Sequence, residues 1–150
     1  MEDEVAAAIT AFKQGLPVCL FDADHREGET DLLFSAQHTT PQTMRTLRKE
    51  CGGLLFLAIG DEVGDLFGLP FLQDIYTNNE LIEKYPTLQH LITNDLQYDS
   101  RSAFTLSLNH RDTFTGITDR DRALTTRRFA ELYVECRTKT HEYSRERLGE

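Results

Sequence analysis

The segment Phe21–Asp31 reads F-D-A-D-H-R-E-G-E-T-D, and it carries five carboxylates: Asp22, Asp24, Glu27, Glu29 and Asp31. Like charges a few ångströms apart repel by about 1 kcal/mol even where water screens them. These side chains therefore either spread over the surface or converge on a hard cation. Apolar runs at 16–20 and 32–36 flank the segment, and each predicts a strand of the core. We expect an acidic loop fixed between two strands, with a solvated loop that binds nothing as the alternative.

The composition is typical of a globular protein that binds neither membranes nor nucleic acids. Of the 150 residues, 39% are hydrophobic and 27% charged, and the longest apolar run, 54–59, is too short to span a bilayer. The start, M-E-D-E, is acidic where a secretory leader is basic, which predicts a cytoplasmic protein. A net charge of −9 disfavours binding to a phosphate backbone. A small phosphorylated substrate could still be held by a local arginine and a metal ion.

The three cysteines, Cys19, Cys51 and Cys136, are far apart in the sequence. Their number is odd and there is no C-x-x-C pair, which argues against a disulfide framework and against a structural zinc site. We expect reduced and mostly buried thiols.

Periodicity and end signals predict a single domain that contains both helices and strands. Helices are predicted at 2–14, 41–50 and 119–133. Strands are predicted at 16–20, 32–34, 54–59 and 103–109. Between 60 and 98 the signal is weak, and only short helices near 62–66 and 80–84 are expected. After Glu135 the apolar pattern stops, so residues 136–150 are expected to form a charged tail that is frayed or loosely helical.

Two of the predicted helices have clear start signals. Thr40 and Thr118 are the expected caps of the helices at 41–50 and 119–133. Asp119 and Asp121 follow in the first turn of the latter helix, where the helix dipole favours acids. The Gly-bearing stretch 113–117 lies between a strand and this helix, which is a common position for a ligand-binding loop.

The acidic segment fits a magnesium or manganese site better than a calcium loop. Asp22 and Asp24 match positions 1 and 3 of an EF-hand, but Arg26 stands at position 5, Glu27 replaces the glycine at position 6, and Leu33 replaces the glutamate at position 12. Mg²⁺ takes one or two carboxylates together with substrate oxygens and water. The sequence shows no Gly-rich phosphate loop, and it suggests no nucleophilic triad.

Two long stretches carry a resemblance to a known family. They are D-A-D-H-R-E-G-E-T-D at 22–31 and A-F-T-L-S-L-N-H-R-D-T-F-T-G-I-T-D-R-D-R-A at 103–123, with R-K-E-C-G-G-L at 48–54 as support. Over about residues 6–135 the sequence resembles the 3,4-dihydroxy-2-butanone 4-phosphate synthases of riboflavin biosynthesis, in their archaeal, single-function form. The resemblance implies an α/β (α+β) fold, with a mixed sheet flanked by helices, and a homodimer with active sites near the subunit interface. It also implies a Mg²⁺-dependent lyase, with Mn²⁺ as a possible replacement, that converts ribulose 5-phosphate to 3,4-dihydroxy-2-butanone 4-phosphate and formate.

The resemblance also implies roles for individual residues. Glu27 would bind the metal and the substrate. Arg26 and Asp31 would hold the substrate, and Asp22 and Glu29 would transfer protons. A divalent ion on the ketose oxygens would make the neighbouring C–H acidic, and nearby carboxylates could then move the proton. Two further residues match family positions close to the substrate. One is Tyr98, and the other is Thr115, which lies in the Thr-Gly-Ile loop.

Two departures from the family pattern leave an alternative open. Phe56 stands where the family usually has a cysteine that lines the site. The family continues into a segment with an Arg-x-x-Gly-His-Thr-Glu motif, whose histidine is the second metal ligand, whereas this sequence runs to Glu150 and matches about two thirds of a full-length enzyme. The alternative to the synthase is an inactive, truncated relative that acts as a metal-binding or assembly subunit. A third hypothesis is an acidic metal-binding domain that catalyses no reaction.

Overall fold

A computed structural model describes residues 2–92 and 96–150 as a helix-rich chain with one small sheet. The helices are α1 (Glu2–Lys13), α2 (Pro41–Glu50), α3 (Asp61–Phe67), α4 (Leu72–Tyr76), α5 (Asn79–Lys84), α6 (Asp119–Cys136) and α7 (His141–Gly149). The strands are β1 (Val18–Phe21) and β2 (Thr30–Leu33), and short 3₁₀ turns lie at Ala36–His38 and Pro86–His90. The weakly patterned region predicted at 60–98 includes residues 93–95, which lie outside the described residues.

The two strands that flank the acidic segment pair with each other as an antiparallel hairpin. Val18 lies opposite Leu33 at one end, and Phe21 lies opposite Thr30 at the other. Both predicted strands are confirmed in position, but the expectation that they lie in the core is wrong. Leu20, for example, is 59% exposed. The hairpin is instead a surface element that carries the acidic loop.

Helices α2 and α6 pack against each other, and both begin as the sequence predicts. At α2, Thr43 N–H donates to Thr40 Oγ1 and Thr40 N–H donates to Thr43 Oγ1, each at 3.2 Å. This reciprocal cap satisfies two backbone donors that the helix itself leaves unpaired. At α6, Asp121 N–H donates to Thr118 Oγ1 at 3.1 Å. Both caps are local in sequence, which explains why they were predictable.

The main hydrophobic cluster lies where α3, α6 and α7 meet. Its buried members are Val63, Leu66, Phe67, Phe129 and Cys136. The rings of Phe67 and Phe129 pack at a tilt with centroids 5.4 Å apart. A lost side chain here would leave a cavity, so this cluster is the part of the described chain most sensitive to truncation.

The tail predicted as frayed or loosely helical forms a helix, α7, over most of its length, and this helix is docked on α3 and α6 rather than loose. Thr140 caps the helix by accepting from Tyr143 N–H, and Ser144, which is fully buried, donates to Thr140 O at 2.8 Å. Leu148 packs against the hydrophobic cluster. A small polar residue at the contact leaves no apolar periodicity to detect, which is why the pattern failed here.

The strands predicted at 54–59 and 103–109 do not form in the described chain. The mixed sheet therefore reduces to the two-stranded antiparallel hairpin, although the α/β class stands. The two segments touch through the rings of Phe56 and Phe104, which meet edge to face at 6.3 Å. Alternating apolar residues indicate a face that favours burial, but a strand exists only where a neighbour completes the ladder of hydrogen bonds.

The cysteines are more accessible than predicted. Cys19 and Cys51 are exposed, and Cys136 is buried. All three are free thiols, as expected. Within the described ranges, no helix combines the length and hydropathy needed to cross a bilayer.

Candidate active site

The acidic loop closes the β1–β2 hairpin, and the register of the hairpin decides which carboxylates meet. Asp22 N–H donates to Glu29 O at 2.9 Å, which continues the pairing one step beyond Phe21 and Thr30. Leu20 lies opposite Asp31. Because side chains alternate between the faces of a hairpin, the pairs 22/29 and 20/31 point to the same face. Three carboxylates, those of Asp22, Glu29 and Asp31, therefore share one side of the hairpin.

The turn of the loop is held by its own first carboxylate. Asp22 Oδ2 accepts from Glu27 N–H at 3.1 Å, and Ala23 O accepts from Arg26 N–H at 2.9 Å. Gly28 has a φ of +65°, the left-handed conformation that glycine adopts without the steric cost of a Cβ. These contacts fix the backbone of Glu27 beside the Asp22 carboxylate.

A pocket of about 310 Å³ opens on this face of the hairpin. Five of the predicted site residues line it, and they are Asp22, Arg26, Glu27, Glu29 and Asp31. Leu20 and Phe21 complete the wall. The structure thus brings together the five residues that the acidic segment contributes, and their individual roles stay predictions.

Arg26 connects the acidic loop to the segment around Tyr98. Its Nε lies 3.7 Å from Asp22 Oδ2, and its Nη2 lies 3.5 Å from Asp99 Oδ2. The guanidinium stands over the Tyr98 ring, 5.7 Å from the centroid, in a cation–π arrangement. Tyr98, a predicted site residue, is therefore a neighbour of the pocket without lining it. Asp99 was missed, because nothing in its spacing marks it as a partner of Arg26.

Asp22 is held in its anionic form. Its pKa lies below the ordinary value of 3.8, first because the Ala23 backbone N–H donates to it and then because Glu27 N–H and the Arg26 charge act in the same direction. Partial burial opposes these effects but does not cancel them. At neutral pH this carboxylate can accept hydrogen bonds and attract cations.

Thr115 belongs to a different part of the described structure from the five pocket residues. It does not line the pocket, and its Oγ1 lies 3.4 Å from Asp121 Oδ2 and accepts from Ile117 N–H at 3.3 Å. The structure therefore does not bring Thr115 together with the acidic loop, and its predicted role near the substrate stays a prediction.

Phe56, the departure from the family pattern, does not narrow the pocket. Its ring is 59% exposed, packs against Phe104 and is not part of the pocket wall. The Phe56 side chain therefore lies neither in the pocket nor in the core.

The donor set of the pocket fits a partly hydrated Mg²⁺ ion. Within the described residues, no group of three or more His, Cys, Asp or Glu side chains is arranged to hold a metal. A closed protein cage is therefore not built here. Mg²⁺ prefers hard oxygen ligands and usually keeps several waters while taking one or two carboxylates. Glu27 and the carboxylates beside it can supply that number.

The family model for 3,4-dihydroxy-2-butanone 4-phosphate synthase matches residues 6–145. The synthase of Methanothermobacter thermautotrophicus is 41% identical over 138 residues, which cover 92% of this chain and 58% of that protein. The synthase of Archaeoglobus fulgidus is 43% identical over 129 residues, which cover 85% of this chain and 53% of that protein. The chain thus spans little more than half the length of these relatives, a smaller share than the two thirds expected from its sequence.

Solved structures agree with the sequence relatives. A 3,4-dihydroxy-2-butanone 4-phosphate synthase in complex with two magnesium ions superposes with a TM-score of 0.63 at 28% identity, covering 84% of this chain and 50% of that one. A two-domain synthase from A. baumannii, at 24% identity and a TM-score of 0.59, shares the fold over 83% of this chain and 31% of its own. The family resemblance and the α/β fold class are therefore confirmed, and the chain belongs to the 3,4-dihydroxy-2-butanone 4-phosphate synthase family.

Proposed function

We propose that this chain carries the acidic substrate site of a lyase that converts D-ribulose 5-phosphate to L-3,4-dihydroxy-2-butanone 4-phosphate and formate in riboflavin biosynthesis. The observation that carries the proposal is the hairpin register, which gathers Asp22, Glu29 and Asp31 on one face beside Arg26 and Glu27. Membership of the synthase family supports the choice of reaction.

The pocket suits a small phosphorylated sugar. Its volume of about 310 Å³ lies at the lower end of the roughly 300–1,000 Å³ typical of ligand sites. Arg26 is the cationic residue of the wall, and its guanidinium can donate to phosphate or hydroxyl oxygens. Asp31 can accept from sugar hydroxyls. Because Asp22 and Asp99 already hold Arg26 by charge, little side-chain entropy is lost when substrate arrives.

Asp22 and Glu29 are the groups we assign to proton transfer. They lie opposite each other, one residue beyond the last paired residues of the two strands, so both reach the same part of a bound sugar. The lowered pKa of Asp22 makes it a weak base that releases readily any proton it takes up.

Glu27 is the residue we assign to holding Mg²⁺, with Mn²⁺ as a replacement. When bound, such an ion withdraws charge from the ketose oxygens and so makes the adjacent C–H more acidic. Glu27 suits this role because its backbone is fixed by Asp22 while its carboxylate lines the pocket. The related structure with two magnesium ions supports a divalent cation.

We also propose a cytoplasmic homodimer. Large apolar side chains are exposed, including Leu20 and Phe21 of the pocket wall and Leu54 and Phe56. A second copy covering this surface would put the pocket near the interface. Exposed free thiols at Cys19 and Cys51 suit a reducing compartment.

The reaction is tested by formate release from ribulose 5-phosphate in the presence of Mg²⁺. The chain is assayed as it stands, and in parallel as a chimera in which residues 6–145 replace the matching part of the M. thermautotrophicus synthase. We expect Mg²⁺-dependent turnover by the chimera, and a loss of about 10²-fold or more when Asp31 is changed to Asn.

Each outcome of this assay is informative. Turnover by the chain alone would place every essential group within its 150 residues. A chimera that folds but releases no formate would contradict the synthase and favour the inactive assembly subunit. Light scattering on a size-exclusion column tests the dimer, and a monomer at every concentration would contradict it.

A further inference from the structure

The carboxylate of Asp121 binds three consecutive backbone amides of the loop that precedes α6. Oδ2 accepts from Thr115 N–H at 2.9 Å and from Gly116 N–H at 3.0 Å, and Oδ1 accepts from Phe114 N–H at 3.2 Å. The residue is only 5% exposed. Hydrogen bonds to an ionised acceptor are about twice as strong as neutral ones, so this single side chain holds the loop in one conformation.

The anchor is itself attached to a rigid element. Asp121 lies in the first turn of α6, an 18-residue helix, and its own N–H donates to the capping Thr118. The upstream end of the loop is also fixed, because Thr113 Oγ1 donates to His110 O at 2.8 Å and His110 N–H donates to Thr125 Oγ1 at 3.0 Å. Any displacement of the loop must break one of these contacts.

The loop conformation is one that only glycine allows at its centre. Gly116 has a φ of +74°, and a Cβ there would lie 2.4 Å from Asn109 Oδ1. The backbone therefore passes close to Asn109, and its amides turn inward to Asp121. The side chains of Phe114 and Ile117 consequently point to solvent, and the Phe114 side chain is the more exposed of the two at 93%.

Asp121 cannot serve as an acid, a base or a direct substrate ligand in this arrangement, because its oxygens are occupied by the loop. Its pKa is lowered, first by Thr115 N–H and then by Phe114 and Gly116 N–H, with burial acting in the opposite direction. The carboxylate is thus ionised and serves as a fixed acceptor. Asp121 can therefore affect a reaction only by holding the loop in place.

We infer that Asp121 is the positioning residue of the Thr115 loop, setting the place of Thr115 and its neighbours relative to the phosphorylated sugar. The inference rests on the function proposed above and on the role near the substrate that the family resemblance implies for Thr115. Asp121 appears in neither the catalytic nor the binding set of that proposal, and it acts only by holding backbone.

The test compares Asp121→Asn with Asp119→Asn. Both variants remove one carboxylate from the first turn of α6, but Asp119 binds Arg48 rather than the loop. Amide hydrogen exchange on the full chain reports the anchor directly. We expect exchange at Phe114, Thr115 and Gly116 to accelerate in Asp121→Asn and to stay unchanged in Asp119→Asn. Unchanged exchange in both variants would overturn the anchor.

The kinetic readout uses the chimera and formate release. We expect Asp121→Asn to lower kcat by about 10²-fold with a smaller change in KM, while Asp119→Asn keeps both values. Faster exchange at the three amides with unaltered kcat and KM would overturn the positioning role. If Asp121→Asn does not fold, Asp121→Glu, which keeps the charge but displaces the carboxylate from the amides of Phe114, Thr115 and Gly116, takes its place in both measurements.

The two assays separate this inference from the proposed function. A parent chimera that releases no formate contradicts the function, while the exchange data still decide whether Asp121 anchors the loop. An active parent with the kinetic result above supports both.

Discussion

The guanidinium of Arg48 in α2 donates two parallel hydrogen bonds to the carboxylate of Asp119 in α6, from Nε to Oδ1 and from Nη2 to Oδ2, each 3.0 Å long. This two-pronged contact lowers the pKa of Asp119, with the Arg48 hydrogen bond as the largest cause. Asp119 also stands at the start of α6, where the helix dipole favours a negative charge. Asp119 thereby links α6 to α2 and stabilises the start of α6.

Replacing Arg48 with Lys should lower the melting temperature, because a lysine keeps the charge but cannot make two parallel hydrogen bonds to one carboxylate. Arg45→Lys is the matched control, since Arg45 lowers the pKa of Asp119 through its charge alone. Thermal unfolding followed by circular dichroism measures both. Equal melting temperatures for the two variants would show that the geometry of the Arg48 contact does not matter.

Stability should fall on acidification. The folded-state pKa values of Asp119 and Asp121 lie below the ordinary value of 3.8. Groups with a depressed folded pKa contribute stability that is complete above the unfolded pKa and is lost as the pH falls through the folded pKa. We expect the free energy of unfolding in urea to decline below about pH 5, and to decline less steeply in Asp121→Asn. Parallel pH curves for parent and variant would contradict this assignment.

Phe129→Ala should destabilise the fold by about 3–5 kcal/mol, the range for a truncated core phenylalanine. Phe129 is buried against Phe67, so the missing ring leaves a cavity that its neighbours cannot fill. Phe114→Ala provides the control, because that ring is in solvent and its loss should change stability by no more than about 0.5 kcal/mol. Urea unfolding gives both values, and similar losses in the two variants would place the core elsewhere.

Glu27→Gln should weaken Mg²⁺ and Mn²⁺ binding, because a hard cation loses an anionic oxygen while the side chain keeps its shape. Glu142→Gln in α7 removes the same charge away from the pocket wall. The rise in melting temperature on adding Mn²⁺ measures the effect. If parent, Glu27→Gln and Glu142→Gln rise equally, Glu27 is not a metal ligand.

Phe56→Cys restores the residue usual in the family and should leave turnover of the chimera unchanged, because the Phe56 ring lies against Phe104 and outside the pocket wall. Formate release under saturating substrate is the measurement. A clear gain in kcat would mean that Phe56 obstructs the site in the assembled enzyme.

The sequence predicted best those features whose causes lie within a few residues of one another. The acidic loop and the strands on either side of it were predicted from two apolar runs, and the caps at Thr40 and Thr118 involve residues three positions away. The five pocket residues fall within one such local unit, so the resemblance could name them together.

The failures involve partners distant in sequence. Residues 54–59 and 103–109 can form strands only if a neighbouring strand completes their hydrogen bonds. The alternation of apolar and polar residues does not show whether such a neighbour is present. Ser144 is buried, but a serine gives no apolar signal in the sequence from which its burial could be predicted. Asp121 was interpreted as an acid favoured by the helix dipole, whereas its main contacts are with a loop that folds back onto it.

The compactness of the acidic hairpin has a consequence for the order in which the molecule assembles. The five pocket residues lie within ten consecutive positions, 22–31, and apart from the contacts of Arg26 with Tyr98 and Asp99, the contacts that arrange them lie within one turn and its two strands. Hairpins form in roughly 1–10 µs, whereas the contact between α2 and α6 must first close a long stretch of chain. The acidic hairpin would thus form early in folding, and later docking of the helices would fix its surroundings rather than create it.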